Sequence, residues 1–184
     1  MESYIQAVRR IVITGPESSG KTTLCRLLAM HFGVPWVAER ARGYLDALGR
    51  TYVEADLLTI ARAQLEAEEA VLRDAPSMLL CDTDLITLRI WGEEKFGRSD
   101  PWIVERTEQR PYDHWLLCAP DIPWEFDPQR ENPHDRERLF AVYEHILSAL
   151  DKPYTIISGE RDHRLRSAIA TIATLPDRPM GSST

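Results

Sequence analysis

Residues 15–22 read Gly-Pro-Glu-Ser-Ser-Gly-Lys-Thr, and no other stretch of the chain restricts its fold so strongly. The pattern G-x-x-x-x-G-K-[ST] is a phosphate-binding loop when it follows a strand and opens a helix. Both flanks are present. Val8 to Thr14 is an apolar run of strand length, and Leu24, Leu27, Leu28, His31 and Phe32 recur at helical spacing on one face. Gly15 and Gly20 let the backbone turn and approach a phosphate with no Cβ in the way. Successive N–H groups from Glu17 through Ser18, Ser19, Gly20, Lys21 and Thr22 to Thr23 then form an anion nest at the positive end of the helix. In such a loop the lysine, here Lys21, bridges the β- and γ-phosphates of ATP, and the hydroxyl of Thr22 ligates Mg2+.

The remaining sequence alternates strand-length apolar runs with helical periods. Val34 to Val37, Met78 to Cys81, Trp115 to Cys118 and Tyr154 to Ser158 read as further strands. Between them, helices are expected over Glu39 to Leu48, Glu54 to Leu72, Thr83 to Trp91, from Pro101, over Arg136 to Leu150 and over Asp162 to Leu175. Gly92 to Asp100 reads as a polar loop. This order predicts an α/β fold of the P-loop NTPase or kinase type, a three-layer sandwich on a mostly parallel five-stranded sheet. One domain over residues 1–175 follows, with a tail at 176–184. The proline-rich stretch at about 119–138 is longer than a strand-to-helix connection needs and is the expected lid.

Composition excludes several classes. With 184 residues the chain is large enough to bury a core without staples, and a net charge of −7 argues against nucleic acid or an anionic membrane as partner. No run approaches the roughly 20 apolar residues of a membrane span, and the N-terminus lacks the pattern of a signal peptide. Cys25, Cys81 and Cys118 have no metal spacing and read as buried thiols of a reducing cytoplasm.

Ligands of this fold sit at the carboxyl ends of the strands, where three acids fall. Asp82 ends the third strand and is placed to hold Mg2+. Glu39 follows the second strand and Asp84 starts the next helix. A hydroxyl acceptor needs a carboxylate to take its proton, which makes Glu39 and Asp82 the two candidates, while Asp84 is assigned to the acceptor pocket. Arg130, Arg136 and Arg138 lie in and after the lid, where a closing guanidinium stabilises a phosphoryl group in flight. Arg40 and Arg42 stand beside Glu39. Trp36, Trp102 and Trp115 are expected in the core or in elements packed on it, whereas Tyr44, Trp91, Tyr112 and Trp124 lie near strand-end loops and are candidates to stack on a planar acceptor. A GTPase reads guanine with N-K-x-D, and Asn132 to Asp135 carries Pro133 where the lysine is needed. A small kinase or a non-catalytic nucleotide-binding module remains, and the strand-end acids with a basic lid favour the kinase.

Taken with the phosphate loop, Val37-Ala38-Glu39-Arg40-Ala41-Arg42, Cys81-Asp82-Thr83-Asp84, the Tyr112 to Pro120 segment and Ser158-Gly159-Glu160-Arg161 resemble the ribosylnicotinamide kinase domain of the NadR family. The resemblance covers nearly the whole chain. It implies ATP-dependent phosphorylation of the 5′-hydroxyl of nicotinamide riboside, a small-molecule nucleoside, to the mononucleotide used in NAD synthesis or salvage. It also implies that Gly159 and Arg161 lie near the adenine. No H-x-G-H adenylyltransferase motif is present, so a stand-alone kinase domain is expected. Another nucleoside or nucleoside-monophosphate kinase stays open as an alternative, as do ATP against GTP and the oligomeric state.

Overall fold

Strands that bury both faces must be covered by helices on both sides, and the computed structural model, which describes residues 8–125 and 134–176, shows that arrangement. The sheet has five parallel strands in the order β2-β3-β1-β4-β5. These are β1 (Arg9–Thr14), β2 (Trp36–Val37), β3 (Met78–Asp82), β4 (His114–Cys118) and β5 (Tyr154–Ile157). Helices α1 (Lys21–Phe32), α2 (Arg40–Leu48), α3 (Glu54–Leu72), α4 (Leu85–Phe96), α5 (Pro101–Gln109), α6 (Arg136–Ala149) and α7 (Arg161–Thr174) connect and cover them. No described helix is long and apolar enough to cross a membrane.

The two-residue period of a strand divides the core into its layers. Ile11, Ile13, Leu80, Leu116 and Cys118 face Leu24, Leu28, Ala168 and Ile172 of α1 and α7. The alternate residues Val12, Leu79, Cys81, Trp115 and Leu117 face Ile86, Ile90, Tyr143 and Leu147 of α4 and α6. A third cluster, with Ala41, Leu57, Ile60, Leu88 and Ile103, packs α2, α3, α4 and α5 together. All three cysteines are buried free thiols, as expected. Trp115 is buried in the core, and Trp36 and Trp102 pack partly buried against it.

The largest departure from the expected boundaries is at the end of one helix. Helix α4 does not end at Trp91 but continues through Gly92 to Phe96, and Gly97 caps it at φ +71°. Gly92 is a packing residue there. A Cβ at that position would meet the Arg98 carbonyl oxygen at 2.9 Å and the Ser99 Cα at 3.2 Å, so glycine lets the next turn fold down onto the helix.

Gly15 has a stricter requirement. Its φ is +134°, and a Cβ would lie 2.6 Å from the backbone oxygen of Cys118 on the neighbouring strand. Gly15→Ala combines a disfavoured φ with a clash that no side-chain rotation relieves. We expect a loss of about 2–4 kcal/mol and a thermal midpoint lower by roughly 5–15 °C in a nucleotide-free calorimetric scan. A midpoint unchanged from wild type would contradict this packing.

Candidate active site

The phosphate loop lies between β1 and α1 at the carboxyl edge of the sheet. Positive φ angles at Gly15, Ser18 and Gly20 fold it into a concave turn. Gly20 occupies the N-cap of α1 without a side-chain cap, which leaves the first amides of the helix available to an anion. The Ser19 hydroxyl donates to the Pro16 carbonyl at 2.7 Å, and so does Lys21 Nζ, also at 2.7 Å. Lys21 therefore rests on its own loop and must swing off Pro16 to meet a phosphate.

Asp82 ends β3 in register with Ile13 of β1 and is 1% exposed. Burial raises its carboxyl pKa, while the Thr22 hydroxyl, Lys21 and Arg42 draw it back. Its Oδ1 is buried with no protein partner. A buried acceptor without a donor is costly, so this oxygen suits a cation or an ordered water. Thr83, next in the chain, holds φ +74° although it is β-branched. Its hydroxyl meets that of Thr87 at 2.6 Å, and Thr87 accepts from the Tyr143 hydroxyl at 3.1 Å.

A cavity of about 400 Å³ is lined by residues 15–23 of the loop together with Glu39, Arg42, Leu45, Tyr52, Thr87, Ile90, Trp91, Glu94, Lys95, Ile122, Glu125, Leu139 and Tyr143. Glu39 precedes α2 and makes no side-chain cap hydrogen bond to it. Its carboxylate is thus not committed to capping. At the wall formed by α4, the Tyr52 and Trp91 ring centroids lie 6.1 Å apart, and Lys95 Nζ sits 3.6 Å from the centroid of Tyr52.

Several expected site residues stand elsewhere. Asp84 is 2% exposed and caps α4, accepting from Ile86 N at 3.2 Å and from Trp115 Nε1 at 2.8 Å. Burial, with Glu68 nearby, pushes its carboxyl up to about 7. It lies behind the cavity because an indole N–H and a helix terminus need that carboxylate. Tyr112 also leaves the pocket. Its hydroxyl donates to Glu68 at 2.8 Å and its ring stands edge-on to Trp115. Tyr44 donates to Asp56 at 2.8 Å, in a cluster with Arg50 that holds the Asp56 carboxyl well below the usual range. Trp124 lies under the Arg136 guanidinium, 5.6 Å from its carbon.

Arg136, expected to reach over the nucleotide, instead donates to the carbonyls of Ser18 and Ile122, each at 3.1 Å. Arg138 is tied to Glu94 and Asp135. Arg130 lies outside the described residues, as do 126–133 of the expected lid. Gly159 and Arg161 do not line the cavity. Gly159, at φ +86°, donates its N–H to Asp121 at 2.6 Å, and Arg161 is exposed at the start of α7.

Sequence reasoning missed Thr87, Ile90, Glu94 and Lys95, which share one signal with the expected Trp91. They fall at i, i+3, i+4, i+7 and i+8, a single face of α4. Ending that helix at Trp91, as its sequence suggests, splits the face and hides it.

A parallel sheet in this strand order, with a phosphate loop after its central strand and a buried acid on the adjacent one, defines a P-loop fold of the kinase type. The chain belongs to the AAA_28 family, described as an AAA domain, whose model matches residues 10–164. It is also homologous to NadR. The trifunctional NAD biosynthesis/regulator proteins NadR of Salmonella typhimurium and Escherichia coli are each 28% identical to it over 67% of this chain and 31% of theirs. The chain thus spans about a third of the length of the curated relatives it matches. Two crystal structures of NadR, one with NAD and AMP-PNP and one with NR, superpose with a TM-score of 0.74 at 22% identity, covering 96% of this chain and 52% and 54% of those chains. Thymidylate kinase of Ehrlichia chaffeensis shares the fold at a TM-score of 0.68 and 14% identity, over 90% of this chain and 98% of that one.

Proposed function

We propose that the chain is an ATP-dependent kinase that phosphorylates the 5′-hydroxyl of nicotinamide riboside to give nicotinamide mononucleotide. The observation that carries this reading is one cavity in which the phosphate loop, the Glu39 carboxylate and an aromatic wall converge. Homology to NadR supports the acceptor, as does the NadR structure in complex with NR.

The acceptor oxygen attacks the γ-phosphorus, its proton passes to Glu39, and the bond from that phosphorus to the β-bridging oxygen breaks to release ADP. Glu39 suits the proton transfer better than Asp82 because it lines the cavity, whereas Asp82 is buried beside Thr22 and Lys21. Thr22 and Asp82 would hold Mg2+, and the orphaned Asp82 Oδ1 fits that role. When bound, the ion would supply charge neutralisation on the phosphates.

Nicotinamide riboside carries a cationic pyridinium ring. Electron-rich ring faces attract cations, and Tyr52 and Trp91 both line the cavity. The Tyr52 and Trp91 rings therefore favour a cationic aromatic acceptor. Residues around 119–138 serve as a lid in this reading, and the buried thiols suit a reducing cytoplasm.

ADP release from Mg-ATP across nucleosides and nucleoside monophosphates tests the proposal. Stimulation by nicotinamide riboside alone, with mononucleotide formed, is the expected result. Stimulation by a different acceptor would replace the substrate and keep the chemistry. Silence across the panel with Mg-ADP still bound would make the chain a nucleotide-binding regulator.

A further inference from the structure

Two arginines grip consecutive carbonyls of the phosphate loop from outside the cavity. Arg136 donates to the Ser18 carbonyl at 3.1 Å, and Arg164 Nη1 donates to the Ser19 carbonyl at 2.9 Å. A peptide unit is planar and trans, so its C=O and N–H point to opposite sides. Holding the Ser19 carbonyl on the Arg164 side turns the Gly20 N–H the other way, toward the concave face that Ser19 and Gly20 present to the cavity.

Arg164 is 4% exposed and spends its remaining donors on two further segments. Nε donates to the Gly159 carbonyl at 2.6 Å, and Nη2 donates to the Ala119 carbonyl at 2.8 Å and pairs with Asp121. The second oxygen of Asp121 accepts the Gly159 N–H at 2.6 Å. One buried guanidinium therefore joins the phosphate loop, the segment after β4 and the turn between β5 and α7. A lysine has no planar fork and cannot reproduce these four directions together.

We infer that Arg164 is a positioning residue that holds the phosphate loop in its anion-binding shape and couples it to the β5–α7 turn, so that nucleotide affinity depends on a side chain outside the cavity. This rests on reading the loop as a nucleotide site.

Calorimetric titration of Mg-ADP into the wild type, Arg164→Lys and Asp121→Ala tests it, with nucleotide-free thermal midpoints as the folding control. A charge-assisted hydrogen bond lost from the loop predicts about tenfold or greater weakening in Arg164→Lys. Asp121→Ala removes one of the anchors of the guanidinium at a carboxylate that is 39% exposed, so it should fold and bind roughly threefold more weakly. Inorganic tripolyphosphate should compete with ADP less well in both variants, because the defect lies in the phosphate nest. A merely structural role would lower the midpoint and leave the affinity of the folded protein unchanged. Folded Arg164→Lys that binds Mg-ADP within about twofold of wild type overturns the inference. If that variant does not fold, wild-type affinity in Asp121→Ala overturns it. Wild-type protein that binds no Mg-ADP overturns the nucleotide-site reading instead.

Discussion

Glu39→Gln is expected to lower kcat for phosphoryl transfer by about 10²- to 10⁴-fold, the usual range for loss of a positioned general base. The amide has nearly the same size and cannot take the acceptor proton. Because Glu39 makes no side-chain cap to α2, the substitution should leave that helix in place. Affinity for Mg-ADP should also persist, since the phosphate loop is untouched. Steady-state ADP release and calorimetric titration read the two quantities separately. A variant with wild-type kcat would move the proton acceptor to Asp82. One that loses ADP binding would show that Glu39 shapes the nucleotide site.

Lys21→Met has a different signature, because in the proposed reaction the same ammonium meets nucleotide in the ground state and in the transition state. We expect kcat/KM for ATP to fall by about 10²- to 10³-fold and ADP binding to weaken with it, as for other single charged donors aimed at developing charge. Lys21 Nζ donates to the Pro16 carbonyl at 2.7 Å, a half-buried contact whose loss costs little stability. The nucleotide-free midpoint should therefore stay close to wild type. Turnover retained in this variant would remove Lys21 from the chemistry. Glu39→Gln thus separates catalysis from binding, whereas Lys21→Met removes both.

Features legible in the sequence are those whose physics is local. The phosphate loop needs consecutive amides, two glycines and a lysine within eight positions, so residues 15–22 carry their own geometry. The sheet was legible for a related reason. Met78 to Cys81 and Trp115 to Cys118 are apolar at every position, which only a strand covered on both faces tolerates, and both are buried throughout in the structure. Asp100 before Pro101 likewise announced α5, and its side chain accepts from Trp102 N.

Other expected residues stand apart from the cavity because a residue type sets what a side chain is able to do and leaves its neighbour undetermined. Asp84, just after β3, and Tyr112, near a strand-end loop, looked like pocket residues. The register of β1 on β3 and β4 instead sets Asp84 against the Trp115 indole, and Tyr112 is turned toward Glu68 of α3. Gly92 looked like a helix stop, but glycine there serves the close approach of Ser99, and only the packed turn distinguishes these uses.

By itself, then, the sequence determined the parallel α/β sheet, the phosphate loop, and Asp82 and Glu39 at strand ends, because each depends on residues within a few positions of one another. Only the tertiary structure decided that Arg164 would reach the Ser19 carbonyl across 145 positions, that Arg136 would brace the loop, and that one face of α4 would wall the cavity. Those contacts arise from how the helices settle on a twisted sheet, where a shift of one residue would send each side chain to a different neighbour.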